Sequence, residues 1–442
     1  MCLFFLLVLL FFLTIFSIVL CNGDMLEPAA LSVESFTLVT LIGFCYNGFT
    51  KCDISIGTVF IMVTALVIYM IGYFGAKGLL QAGGYIKFSK KIRIFHMPDK
   101  RLSFILFAVE MLSFYRTFQA TYSIARTINP GANLLNMLEY TRNAYLFTDA
   151  SMGLLTSVLS FYTISISYFY TYALIRYFLK DCKFNSKKLS ECKLELLMVF
   201  VSLVSGMFGT GRTFLIKYIV FLFATFYYLR FFKERVKRFS IKKMAGTLKK
   251  MIIAVVVFFA LFQLMGITTN KTGRVSAVDM LYEYSGSSVL AFDRSIESYE
   301  YDGRFFGEES FYGLYGFLNS FGADIPNDIL HLPFVDVGEG VRTNIYTSLR
   351  TYLYDFGFAG MYIVQFFLGI VSAVMYVLLY RMGGQPIYML IYGILLYGTV
   401  MQGNAEITLR NFMSITNVFV VIFFTMLYIL TQKKIRIRIC EY

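Results

Sequence analysis

Residues 251–267 read MIIAVVVFFALFQLMGI, an unbroken apolar run without a single charge. A lipid-facing β-strand would alternate over a shorter length, whereas a helix needs roughly 20 mostly apolar residues to cross hydrocarbon. This stretch therefore decides for helices over a barrel. Further runs lie near 3–20, 30–48, 56–75, 102–125, 150–172, 194–208, 213–230, 355–379, 385–402 and 411–431, which predicts about eleven spans, ten to twelve if neighbours merge or fray. Composition agrees: 58% of the 442 residues are hydrophobic and 15% charged, against about 25% charged in soluble domains. The expected fold is all-α and polytopic, with about eight spans in 1–268, a large loop over 269–350 and about three spans in 351–442 ahead of a basic tail.

The opening MCLFFLLVLLFFLTIFSIVLC lacks the basic n-region and small-residue cleavage site of a secretory signal. It is read as a retained span. None of the seven cysteines falls in 269–349, so no disulfide framework is expected there. The two histidines, His96 and His331, are far apart in sequence, and no cluster has ligand spacing. Zinc, haem and iron–sulfur chemistry are not expected, and no cofactor is assigned.

Basic residues mark cytoplasmic loops. Residues 230–250 carry nine basic side chains against Glu234, and 77–101, 180–193 and the tail KKIRIR are basic too. In contrast, 269–349 holds five basic and twelve acidic residues, a net of −7. That loop is expected on the outer side. The overall charge of +13 then reads as an orientation and lipid-headgroup signal, and nucleic acid is not an expected partner. At 81 residues the loop exceeds a passive connection. Apolar residues at 311, 314, 317, 318 and 321 follow helical spacing, so short helices lying at the outer membrane face are expected.

Charges inside apolar sequence need a task or a partner. Arg212, in GTGRTFLIK at 209–217, stands beside Gly209 and Gly211, whose backbone can approach an anion closely. With it, Arg126, Arg142, Arg342, Arg350 and Arg410 fall at or near outer membrane entries on this topology. Arginine forks suit phosphate oxygens, so an anionic ligand at the outer leaflet is expected. Glu110 lies mid-span and is expected to pair, with Lys217 as one partner, or to be protonated. DFG at 355–357 lacks the partner motifs of a kinase, and no GxGxxG, P-loop or GxSxG occurs.

The stretch SGMFGTGRTFLIKYIVFLFATFYYL, followed by a basic loop, then YEYSGSSVLAFDRSIE, GEESFYGLYGFLNS and TNIYTSLRTYLYDFGFAGMYIVQFFLGIVSAVMYVLLY, resembles the O-antigen and capsule repeat-unit polymerases of the Wzy type. The likeness covers about 194–380. Arg142 to Gly153 also has the Arg-x10-Gly spacing of some members. The resemblance implies an enzyme of the bacterial cytoplasmic (inner) membrane. It would join undecaprenyl-diphosphate-linked oligosaccharide repeat units at the outer face, with a polysaccharide chain-length regulator and membrane lipids as partners. The diphosphate would be held by Arg142, Arg212, Arg342, Arg350 and Arg410, without metal. Candidates for the base that takes the acceptor proton are Asp293, Glu309, Asp355 and His331, the last with an ordinary pKa nearest the working pH. Tyr299, Tyr301, Phe305, Phe306, Phe311 and Tyr312 would stack on sugar rings or, in a chain without tryptophan, anchor the loop at the interface. An O-antigen ligase uses the same donor, and a lipid-oligosaccharide flippase or secondary transporter shares the general pattern.

A bidentate grip by Arg212 has a measurable consequence. Arg212→Lys keeps charge and reach but loses the planar fork, so turnover should fall on the order of 100- to 1,000-fold while membrane insertion stays normal. Wild-type product lengths from the lysine variant would leave Arg212 a membrane anchor.

Overall fold

The computed structural model describes residues 1–48, 51–84, 95, 97–134, 136–148, 150–180, 186–209, 213–234, 277–300, 305–326, 332–338 and 340–439. Among them run α1 (Cys2–Leu20), α2 (Pro28–Asn47), α3 (Ile56–Ala82), α4 (Lys100–Ile128), α5 (Met137–Phe147), α6 (Leu154–Lys180), α7 (Ser186–Glu191), α8 (Lys193–Met207) and α9 (Thr213–Glu234). After the gap come α10 (Ala277–Leu281), a π-turn (Tyr282–Gly286), α11 (Ser288–Glu297), α12 (Tyr312–Asn319), α13 (Ser348–Arg381), α14 (Pro386–Met401), α15 (Thr408–Phe412) and α16 (Ile415–Ile439). One short antiparallel pair, β1 (Val335–Asp336) with β2 (Arg342–Thr343), sits between α12 and α13. Among the described residues six helices are long and apolar enough to cross a membrane: α1, α2, α3, α6, α9 and α13. The chain is an all-α, multi-pass membrane protein. Arg212, His331, Tyr301, the apolar run at 251–267 and most of the basic loop 230–250 lie outside the described residues.

Local chemistry sets the helix starts. Proline opens α2 and α14, where its missing N–H costs nothing. Ser55 caps α3 by accepting from Thr58 N at 3.2 Å, and Asp99 caps α4 from Arg101 N at 3.4 Å. On α1 a stripe of Leu3, Leu6 and Leu10 turns inward while Phe11, Phe12 and Phe16 stay exposed, as suits a helix with lipid on its other faces.

Small residues set how closely the helices cross. Gly72 of α3 and Gly369 of α13 meet backbone directly: a Cβ on either would collide with Phe366 O or Tyr69 O. The π-turn is seated the same way on α2, because a Cβ on Gly43 would stand 2.6 Å from Gly286 O. Helix α11 consequently lies inside the protein, and Val289, Leu290, Ala291 and Phe292 join the core of Leu66, Tyr69 and Leu353. The helical spacing read at 311–321 belongs to α12, so α11 is a buried helix in addition to it. Helix α12 is partly exposed, and its apolar spacing matches the sequence reading.

At the opposite end of the bundle the turn between α1 and α2 carries two buried acids. Glu27 is paired with Lys77 of α3. Asp24 accepts from Tyr227 OH at 2.8 Å, Leu26 N at 3.1 Å and Tyr376 OH at 2.9 Å, which ties α9 and α13 to the turn. Burial first, and the Glu27 charge second, push the Asp24 pKa up to about 6, with the tyrosine and amide donors working against the rise. A carboxyl raised in the folded state stabilises below the unfolded value of about 3.9 and loses that contribution as pH climbs through about 6. Thermal midpoints in detergent should thus fall between about pH 4 and pH 7 for the wild type. Asp24→Asn should flatten that slope, and an unchanged slope would remove Asp24 from its origin.

Candidate functional site

Four breaks in helical structure meet near the start of α13, at the loop-bearing end. Backbone that leaves the helix inside a membrane protein must find partners in the protein or line a wet cavity, and here most partners are visible. Gln402, after α14, accepts from Ser32 Oγ at 2.5 Å through its side chain and from Ser348 N at 2.8 Å through its carbonyl. Gly403 N donates to Ser35 Oγ at 2.9 Å, and Gly403 O accepts from Ser288 Oγ at 2.7 Å. Asn404 Oδ1 accepts from Ser285 Oγ at 3.2 Å. The turn 402–407 is thereby stitched to α2, the π-turn and α13.

Glu406 closes this turn by accepting from Tyr352 OH, Leu409 N and Arg410 N, each at 2.8 Å. Burial raises its pKa, and the three donors work against the rise. The next residues carry Arg410, whose guanidinium lies 4.8 Å from the ring centre of Tyr312. Gly313 brings α12 against the Arg410 carbonyl, so α12 and α15 form one packed corner.

Arg350, in the first turn of α13, is 1% exposed and ion-paired with Glu309, itself fully buried. Its guanidinium sits between the rings of Tyr346 at 5.1 Å and Tyr354 at 4.0 Å. Asp355 holds the Glu309 turn in place, accepting from Glu309 N at 3.2 Å and Ser310 N at 2.7 Å. The helix then breaks at Gly357, whose φ of 68° suits glycine. Around Arg350 the satisfaction of polar atoms is incomplete: Nε, Thr347 Oγ1 and Ser348 Oγ are buried without a hydrogen-bond partner among the described residues. Thr347 is the N-cap of α13 but makes no side-chain cap bond. Hydroxyls, a guanidinium edge and a helix N-terminus share one turn, a chemistry suited to oxygen-rich anions.

The arginines expected to act together are thus distributed. Arg350 and Arg410 belong to one network through Tyr352, Glu406 and α13. Arg342 is exposed on β2, opposite Asp336. Arg142 lies on α5, which packs on α4 with Thr141 Oγ1 donating to Thr121 O at 2.9 Å, and no contact among the described residues links it to Arg350. Arg126 stacks on Tyr122 at 4.9 Å. Asp293 is 2% exposed, and its Oδ1 accepts from Ser55 N at 2.8 Å and Thr58 Oγ1 at 2.7 Å. It fastens α11 to the start of α3. The aromatic residues pack mainly on one another and on α13: Phe306 lies 5.1 Å and Phe311 6.1 Å from Phe356, and Tyr299 5.3 Å from Tyr354.

Sequence reasoning missed Thr347, Ser348, Gln402, Asn404 and Glu406. The signal lies in NIYTSLR, which enters the sequence reading through the family resemblance alone, and in QGNAE, within the expected outer loop 402–410. No family model matches the chain, and no curated protein or solved structure matches it either.

Removing one partner of a buried ion pair strands the other charge, at about 3–5 kcal/mol. Glu309→Gln should therefore lower thermal stability in detergent sharply. The double variant Glu309→Leu with Arg350→Met should recover most of the loss. If the double variant were less stable than Glu309→Gln, the pair would have to be a net stabiliser beyond its mutual neutralisation.

Proposed function

We propose that this chain is a repeat-unit polymerase of the Wzy type. It transfers a growing glycan from undecaprenyl diphosphate to the non-reducing end of an incoming lipid-linked oligosaccharide. In this reading the chain crosses the bacterial cytoplasmic membrane eleven times, with α4, α8, α14, α16 and the run at 251–267 added to the six long apolar helices, and its acidic 269–349 segment faces outward. The supporting observation is the first turn of α13. There Arg350 Nε, Thr347 Oγ1 and Ser348 Oγ have no hydrogen-bond partner among the described residues, and the segment is the one that carries the resemblance. The donor's diphosphate would bind at this turn, with Arg410 near it and Arg212 and Arg342 approaching from their own segments.

As the glycosidic bond to the lipid breaks, negative charge grows on the leaving diphosphate. Positioned donors lower that barrier by stabilising charge as it develops. The incoming hydroxyl must lose its proton. The candidates for its base are His331 and Asp293, the latter with two hydrogen bonds already accepted by Oδ1. In this reading the transfer runs without a metal.

The test uses purified protein and undecaprenyl-diphosphate-linked repeat units, with product length read on a gel. Thr347→Ala and Arg410→Ala should each fold and lower elongation about 10- to 1,000-fold, whereas a chelator should leave it unchanged. A strain lacking the protein should keep single repeat units on its acceptor. Loss of all glycan would favour a flippase, and polymer retained on the lipid carrier would favour a ligase.

A further inference from the structure

Helix α4 turns a polar face toward the protein. Ser103, Glu110, Ser113, Thr117 and Thr121 are all buried, while Phe104, Ile105, Met111, Leu112 and Tyr115 are exposed. At 100° per residue the five polar positions fall within an arc of about 80°, and at 1.5 Å per residue they extend over about 27 Å. That is close to the thickness of a hydrocarbon core, about 30 Å. Leu106 is the apolar residue buried within that stretch of the arc, and an inward face so dominated by polar residues reverses the ordinary pattern.

Neighbouring helices continue the line. Tyr170 OH of α6 donates to Ser103 Oγ at 3.0 Å, and Ser113 Oγ shares a 2.7 Å hydrogen bond with Thr163 of α6. Ser202 Oγ of α8 donates to Glu110 Oε1 at 2.6 Å, and Thr141 of α5 reaches Thr121 O. Glu195, in the first turn of α8, is also buried. Tyr170 lies within electrostatic reach of both Glu110 and Glu195. Lys217 does not neutralise Glu110 as the sequence reading allowed. Its ammonium donates to Asn417 of α16 instead, and a serine hydroxyl is what Glu110 receives.

Structural carboxyls in a membrane interior are paired or fully hydrogen-bonded. Here Glu110 Oε2, Glu195 Oε2 and Thr117 Oγ1 are buried and have no hydrogen-bond partner among the described residues. Unfilled acceptors beside hydroxyls along a polar line are sites for water, and water between carboxyls carries protons. We propose that the seam of α4, α6 and α8 is a transmembrane proton path in which Glu110 is the central exchange group. On one side a hydronium ion gives its proton to the Glu110 carboxylate, forming an O–H bond and leaving water. On the other side that bond breaks, the proton passes to a second water, and the carboxylate is restored. Glu195 is the corresponding group toward one end, and the Ser113, Thr163 and Thr117 hydroxyls bridge toward the other. The path rests on α4 crossing the membrane and is independent of any glycan chemistry.

The full chain reconstituted in liposomes with entrapped pyranine, under a potassium gradient with valinomycin, reads this directly. Wild-type vesicles should acidify at least tenfold faster than protein-free ones. Glu110→Gln, which preserves shape and the acceptor for Ser202, should lose at least 90% of the excess flux, and Thr117→Val should slow it severalfold. Wild-type flux equal to that of empty vesicles would overturn the proposal, as would Glu110→Gln conducting like the wild type. Should Glu110→Gln fail to fold, Thr117→Val and Glu195→Gln decide: wild-type flux in both would sink the path.

Discussion

The turn at 402–407 has to exist without water to satisfy it, and much of the structure follows from how it does so. A helix that stops inside a membrane protein exposes carbonyls and amides, each costing several kcal/mol if left unmatched in hydrocarbon. Ser32 and Ser35 of α2, Ser288 of α11 and Ser348 of α13 supply the matching groups. Because those serines sit on three different elements, satisfying one turn fixes the relative positions of all three. Gly43, Gly286 and Gly403 complete the constraint, since only glycine allows the backbones to come close enough for these bonds.

The same constraint explains why charges in this molecule come in two kinds. Arg350 with Glu309, and Lys77 with Glu27, are opposite charges brought together where the chain folds back on itself. Their mutual attraction offsets desolvation and adds little net stability. What they do is discriminate: a shifted register of α13 or α3 would leave one charge alone in a low dielectric. Glu110 belongs to the other kind. Among the described residues it has a hydroxyl for a partner and one oxygen without any, so packing specificity does not account for its presence.

Spans were legible because hydropathy is a sum over many residues and tolerates local error. The runs at 3–20, 194–208 and 213–230 correspond to α1, α8 and α9 within a few residues. Boundaries were less legible where polar chemistry enters. The run starting near 355 sets in at the break at Gly357, but the helical turns ahead of it from Ser348 escape a hydropathy scale, which counts Arg350 as a full charge although Glu309 is paired with it. Burial of α11 was illegible for a related reason: SGSSVLAFDRS looks like loop sequence, yet its serines are the donors that the 402–407 turn and the π-turn require. Asp293 is a base candidate by its place in the outer segment, and sequence gives no sign of the hydrogen bonds from Ser55 and Thr58 by which it also fastens α11 to the start of α3.

Convergence of arginines was the least legible feature, since sequence gives membrane side but no azimuth around the bundle. Arg142 and Arg350 were assigned to one side, yet α5 packs on α4 while the start of α13 packs among α2, α11 and the 402–407 turn. Arg350 and Arg410 are brought into one network by Tyr352, which places its hydroxyl on Glu406 two residues on from the Arg350 position. Glu406 in turn fixes the amide of Arg410. A carboxylate that anchors one arginine's backbone through a tyrosine beside the other holds the two guanidinium-bearing segments in fixed register. On the proposed reading, recognition of an anion with several oxygens would depend on that register, because a fork displaced by an ångström loses its second hydrogen bond while keeping its charge.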